Sequence, residues 1–298
     1  MEVCKLSSSG LQEWAKAELL GRVEPWKMVT SWVSGSLLEG LGNQSSDVDI
    51  FVLVPHLSDE LPATRRDPDH CTYAFISDET RFDIEFWAED NVCQLASKLD
   101  SVRLDDPEFN SNHYLKYWES EFIHRLAVGV PLVEQQNFCV LKGRFNIEKF
   151  SRYLLENCLR MFDDAFDDAV GMIASSQENC GALRARDAMC HAIDSLLYAS
   201  GCTNDKAKFR SLKLRRLVDK FEPYRQYETA FWQFQSVLPE ETQHRRLYAE
   251  RVLAFSSDLV GMVQDQVSAS VCSSYYAEHE QNGFESSSQL PESLLRSA

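Results

Sequence analysis

The apolar positions of this chain change period along its length. Short runs of period two dominate up to about residue 90, and stripes at helical spacing follow Glu108. Residues 8–22 carry Leu11, Trp14, Leu19 and Leu20 at helical spacing, with Gly21 as the stop. Met28 to Val33 predicts a strand, interrupted by Gly35-Ser36. Ser36-Leu37-Leu38-Glu39 fits the Ser-x-x-Glu capping box and predicts a helix, kept short by Gly40, Gly42 and Asn43. Glu39 is assigned only the capping role. The loop 43–46 feeds a strand over Val48–Val54 that is apolar on both faces and ends at Pro55. Residues 56–70 are polar and predict an excursion outside the core. Cys71–Ser77 and Thr80–Trp87 predict a hairpin turning on Asp78-Glu79, with Phe82, Ile84 and Phe86 on one face of its second strand and Asp83 and Glu85 on the other.

After Glu108 every predicted element is a helix. His113–Val128 places Leu115, Trp118, Phe122 and Leu126 on one stripe and stops at Gly129 and Pro131. Ile147–Ile173 is a long helix bearing the acidic patch Asp163-Asp164 and Asp167-Asp168, and Leu183–Ser200, Lys206–Phe221 and Glu240–Gln266 follow. From Val267 the chain turns Ser-rich and polar. The predicted architecture is a small mixed α/β (α+β) domain over 1–110, an all-α bundle over 111–266, and a Ser-rich, disordered tail over 267–298.

The chemistry concentrates where the first strands begin. Asp47 and Asp49 stand at i and i+2, so they point the same way along a strand and converge about 7 Å apart, a spacing that lets two carboxylates share hard divalent cations. A bare Asp-x-Asp at an edge strand is commonly just solvated. Here it opens a strand apolar on both faces, where unpaired carboxylates are costly. Gly35-Ser36, ten residues upstream, offers backbone N–H groups and a hydroxyl to a phosphate. Asp83 and Glu85 share one face of a neighbouring strand. One of them completes the metal site and the other takes a proton from an attacking hydroxyl, with Asp83 the first choice as ligand. Which takes which role stays open.

Charge narrows the partners. The chain has 46 Asp and Glu against 30 Lys and Arg, a formal charge of −16, which argues against a long nucleic-acid partner. It suits a nucleotide escorted by a metal ion, and small cationic substrates. The densest basic run is Lys206, Lys208, Arg210, Lys213, Arg215 and Arg216. A solvated helix face is the default for such a run, and the alternative is that Lys208 or Lys213 reaches the β- and γ-phosphates of a nucleotide. Arg184 and Arg186 are weaker candidates of the same kind, and His191 reads as a structural histidine. Nine scattered cysteines without a C-x-x-C pair, an N-terminal segment without a signal pattern, and no apolar stretch of membrane length give the expectation of a reducing, cytoplasmic setting without zinc or membrane.

Gly35-Ser36, then Asp47-Val48-Asp49-Ile50, then Asp83 on a later strand resemble the signature of the polymerase-β-type nucleotidyltransferase superfamily. His124-Arg125-Leu126 followed by Gly129 and Pro131-Leu132 resembles the helix end that follows in that superfamily. The helices after 145 are similar to the all-α partner domains of aminoglycoside- and lincosamide-type nucleotidyltransferases, and loosely to HEPN-type bundles. The resemblance implies a two-metal transfer in which Asp47, Asp49 and Asp83 hold Mg²⁺ (or Mn²⁺), and Gly35 and Ser36 grip the triphosphate of ATP or another nucleoside triphosphate. An acceptor hydroxyl attacks the α-phosphorus and expels pyrophosphate. Glu85 matches the pattern less clearly, and its role as base rests on position. The implied function is transfer of a nucleoside monophosphate, AMP first, to a small molecule or a protein side chain. The alternatives are a nucleotide second-messenger synthase, and a non-catalytic nucleotide-binding regulator or antitoxin.

Overall fold

Val48–Val54 forms the strand β2 at the middle of a six-stranded mixed sheet, and six of its seven residues are buried. The computed structural model describes residues 7–24, 27–104 and 115–269. Within them the chain divides at Ile147/Glu148 into two compact units. In the first, β1 (Thr30–Ser34) lies antiparallel to β2, and β6 (Val130–Val133) lies antiparallel to β1 at the edge. On the other side of β2, β5 (Thr80–Ala88) runs parallel to it, β4 (His70–Ser77) pairs antiparallel with β5, and β3 (Arg65–Arg66) closes that edge. The hairpin turns at Asp78 and Glu79, both at positive φ (47° and 64°), as a two-residue turn of the type that matches strand twist.

Alternation along these strands builds two apolar layers. Val33, Ile50, Val52, Phe82, Ile84 and Phe86 pack with Leu11, Ala15 and Leu19 of α1 (Ser8–Leu20), and Phe82 receives the edge of Trp14 at 4.8 Å and stacks on Phe75 at 5.1 Å. The opposite face carries Trp32, Phe51 and Trp87. Trp32 stacks on Phe51 at 5.5 Å, and Phe122 of α3 (Tyr117–Ala127) sits against all three rings. Gly129 lets the end of α3 close on this layer, because a Cβ there would stand 2.3 Å from the Trp32 ring. Two more helices belong to this unit, α2 (Glu89–Ser101) and α4 (Gln135–Gly143).

Several expectations need correction. The segment after Gly35-Ser36 is a hydrogen-bonded turn and not a helix: Leu41 and Gly42 both donate to the Ser36 carbonyl, closing the chain before a second helical turn forms. The chain after Glu108 is not all helix, since Val130–Val133 adds the edge strand β6. Its Pro131 fits an edge position, where a missing N–H costs no ladder bond. The excursion 56–70 contributes Leu61 to the core and the short strand β3. Trp118 is exposed rather than part of the α3 stripe. Its indole faces Asp69 Oδ2 at 3.3 Å and Lys116 lies over its ring. The first residues of the predicted helix His113–Val128 lie outside the described residues, as does the tail beyond Ala269.

The second unit is helical: α5 (Ile147–Ala174), α6 (Glu178–Ala199), α7 (Arg210–Lys220), α8 (Arg225–Ser236) and α9 (Thr242–Ala269). Small residues on α6 (Ala182, Ala185, Ala188 and Ala192, all fully buried) let it pack closely along α9, which buries Ala249, Val252, Leu259 and Val263. A bidentate pair, Arg210 to Asp194 at 2.9 and 2.7 Å, pins the start of α7 to α6.

Candidate active site

Register brings the acids together. β2 and β5 are parallel, and Asp49 stands directly opposite Asp83. Asp47 precedes β2 and shares the direction of Asp49. One carboxylate oxygen from each of Asp47, Asp49 and Asp83 lies within 4.8 Å of the others, and all three residues are partly buried. The trio occupies the Trp32–Phe51–Trp87 face of the sheet, at the end of that aromatic layer. Three hard oxygen donors at this spacing have the chemistry that Mg²⁺ or Mn²⁺ takes.

Gly35 fits that grouping in a way only glycine allows. It lies at φ +101°, and a Cβ there would stand 2.1 Å from Asp49 Oδ2 and 3.0 Å from Arg125 Nη1. The carboxylate of Asp49 therefore occupies the space a side chain at 35 would fill. Ser36 is buried beside it, and its carbonyl anchors the turn that follows.

Glu85 lies two residues further along β5 and opposite Phe51 in register, so it sits deeper under the aromatic layer than Asp83. The Trp87 indole donates to its Oε2 at 3.1 Å. Burial raises its pKa to about 7; the Trp87 bond and Arg125 pull it down, while Asp49 and Glu121 add to the rise.

The structure adds residues to which sequence reading gave no role. Arg125, on the last turn of α3, is only 7 % exposed. Its Nη1 approaches Asp49 Oδ2 at 3.3 Å and its Nη2 approaches Glu121 Oε1 at 3.2 Å. Burial works against its charge, but Asp49, Glu121 and Glu39 outweigh that and raise its pKa. The neighbouring His124 Nε2 meets Glu39 Oε1 at 3.2 Å, so Glu39 ties the turn after Ser36 to α3 rather than capping a helix. Arg81, 61 % exposed at the side chain, bonds Asp83 Oδ1 through Nε at 2.9 Å. Its pKa is raised by that bond and, more weakly, by Asp47 and Asp49. The signal for Arg81 was in the sequence, because i and i+2 on a strand share a face. Arg125 stood out in the sequence only as part of the His124-Arg125-Leu126 stretch of the family resemblance, and its reach to Asp49 comes through the tertiary fold.

Lys208 and Lys213 belong to the second unit. Lys208 is exposed, with its amine over the Phe209 ring at 4.8 Å. Lys213 is buried, and its Nζ donates to the Asn204 carbonyl at 2.5 Å. His191 lies on α6, its carbonyl accepting from the Cys158 thiol at 3.1 Å.

A strand pair thus gathers three carboxylates beside a glycine turn, with Arg125 of α3 against one of them, in an arrangement that could hold a metal ion. Residues 18–131, which lie within the sheet unit, match the sequence model of the nucleotidyltransferase domain. A solved structure of a nucleotidyltransferase-like protein from Exiguobacterium sibiricum 255-15 is similar at a TM-score of 0.42 and 13 % identity, over 87 % of this chain and 79 % of that one. Comparison with curated proteins gives no match. Among the described residues, no helix is long and apolar enough to cross a membrane.

Proposed function

We propose that this protein transfers a nucleoside monophosphate, AMP from ATP in the first instance, to a hydroxyl of a small molecule or a protein side chain and releases pyrophosphate. The observation that carries the reading is the grouping of Asp47, Asp49 and Asp83 oxygens within 4.8 Å, beside a glycine that a larger residue would push into Asp49. These three acids would hold a divalent cation, which when bound supplies charge neutralisation for the triphosphate and its leaving group. The turn at Gly35 and Ser36 presents backbone N–H groups to phosphate oxygens. The acceptor oxygen forms the new bond to the α-phosphorus as the bond to the bridging oxygen breaks, and pyrophosphate carries away the electron pair. The acceptor's proton passes to a carboxylate on the same face, with Glu85 as the proposed recipient. An acidic chain suits a cationic acceptor better than RNA.

The test is incubation with α-labelled ATP, Mg²⁺ and a panel of hydroxyl acceptors, cationic and neutral. Turnover with pyrophosphate release, falling by about a thousandfold in Asp49→Asn, is the expected result. Nucleotide binding without turnover on any acceptor would instead support a regulator. Label joined only to a second nucleotide would identify a second-messenger synthase.

A further inference from the structure

We infer that Arg125 is a positioning residue for the transfer reaction: it pins Asp49 Oδ2 so that the carboxylate is held in one rotamer facing Asp47 and Asp83. The inference rests on the nucleotidyl-transfer reading above and deepens it. Arg125 is nine-tenths buried, and its guanidinium bridges two acids, Asp49 at 3.3 Å and Glu121 at 3.2 Å. A planar fork held at two points orients its partner more tightly than a single ammonium does. Its Nε has no hydrogen-bond partner among the described residues, so the two η nitrogens carry its polar contacts. Beside it, the bare Cα of Gly35 approaches the same oxygen, with the site of a missing Cβ 2.1 Å from Oδ2 and 3.0 Å from Arg125 Nη1. Asp49 Oδ2 thus rests against both a backbone without a side chain and a buried guanidinium. Glu121 is one turn N-terminal to Arg125 on α3 and fixes the guanidinium in turn.

The role is orientation rather than attraction. A buried cation beside Asp49 opposes a divalent ion by simple repulsion. Removing it should therefore leave metal affinity intact or improved while spoiling the geometry of transfer. That combination separates positioning from ordinary structural support, which would lower affinity, stability and turnover together.

The experiment compares wild type, Arg125→Met, Arg125→Lys and Glu121→Gln as full-length protein. Mn²⁺ binding is followed by the loss of its free-ion EPR signal without nucleotide, and turnover is measured at saturating metal. In Arg125→Met, Mn²⁺ is expected to bind at least as tightly as in wild type. Turnover should fall by roughly a hundredfold, with KM for the nucleotide within about threefold. Arg125→Lys should recover part of the loss. Glu121→Gln should lower turnover less, and should add nothing when combined with Arg125→Met, because it acts through the arginine. Wild-type turnover in Arg125→Met, or full recovery at high metal, overturns the inference. So does an additive double variant. If Arg125→Met does not fold, Arg125→Lys and Glu121→Gln carry the same comparison. If wild type turns over no acceptor, the functional reading fails, and the EPR arm still tests this inference: weaker Mn²⁺ binding in Arg125→Met or Arg125→Lys would overturn it.

Discussion

At the scale of single residues, the site depends on one absent side chain as much as on three charged ones. Gly35 adopts φ +101°, a region where an L-residue with a Cβ is strained by about 1–2 kcal/mol. The Cβ would also meet Asp49 Oδ2 at 2.1 Å, a distance at which something must move. Gly35→Ala is therefore expected to cost about 3 kcal/mol of stability through strain and overpacking together. Because the atom displaced belongs to Asp49, activity should fall further than the lost folded fraction explains. Urea denaturation and turnover on the same preparation check both halves. A variant destabilised as expected but fully active per folded molecule would show that Asp49 tolerates displacement. The neighbouring Ser36 fills a different role, its carbonyl taking two backbone donors to close the turn.

At the scale of elements, α6 shows how burial converts a titratable side chain into a pH-dependent stability. His191 sits on α6 near Asp194, Arg210, Asp187 and Arg184, and burial, the largest influence, pulls its pKa below 6.5. Asp194 and Asp187 push it back up, while Arg210 and Arg184 add to the fall. The folded state thus prefers the neutral ring, and the unfolded chain binds the proton first as pH drops. The resulting contribution is fully present above the unfolded value near 6.5 and is lost as pH falls toward the lower folded value. Wild type should lose more stability than His191→Asn between about pH 7.5 and 5.5, read as the difference in denaturation midpoints. Equal losses would remove His191 from the account.

The same scale explains what could be read from the sequence. β2, β4, β5 and their hairpin were legible because alternation and face-sharing are local properties, and with them came Asp47, Asp49 and Asp83. The turn after Ser36 was misread because Ser-x-x-Glu is a capping pattern wherever a helix follows, and here Glu39 is drawn instead to His124, 85 residues away. The strand β6 and the reach of Arg125 were illegible for the same reason. Each is fixed by pairing or packing between segments distant in sequence, which period alone does not encode. Lys213 illustrates the opposite error, since a basic run suggests a solvated or phosphate-facing side chain, yet this amine is buried on the Asn204 carbonyl.

At the scale of the whole molecule, the chain carries a formal charge of −16, while Arg81 and Arg125 lie beside Asp83 and Asp49. Long-range attraction then acts on an approaching cation, while the final encounter is governed by local contacts. For a polycationic acceptor the field raises the encounter rate, and salt removes the gain because the screening length falls from roughly 14 Å near 0.05 M to about 6 Å near 0.3 M. The KM of such an acceptor should rise by about tenfold over that range, whereas a neutral hydroxyl acceptor should change by less than about twofold. The neutral acceptor supplies the internal control, since it carries no charge on which the field can act. If both acceptors shift equally with salt, the dependence belongs to nucleotide or metal binding, and the chain's net negative charge plays no part in choosing the acceptor.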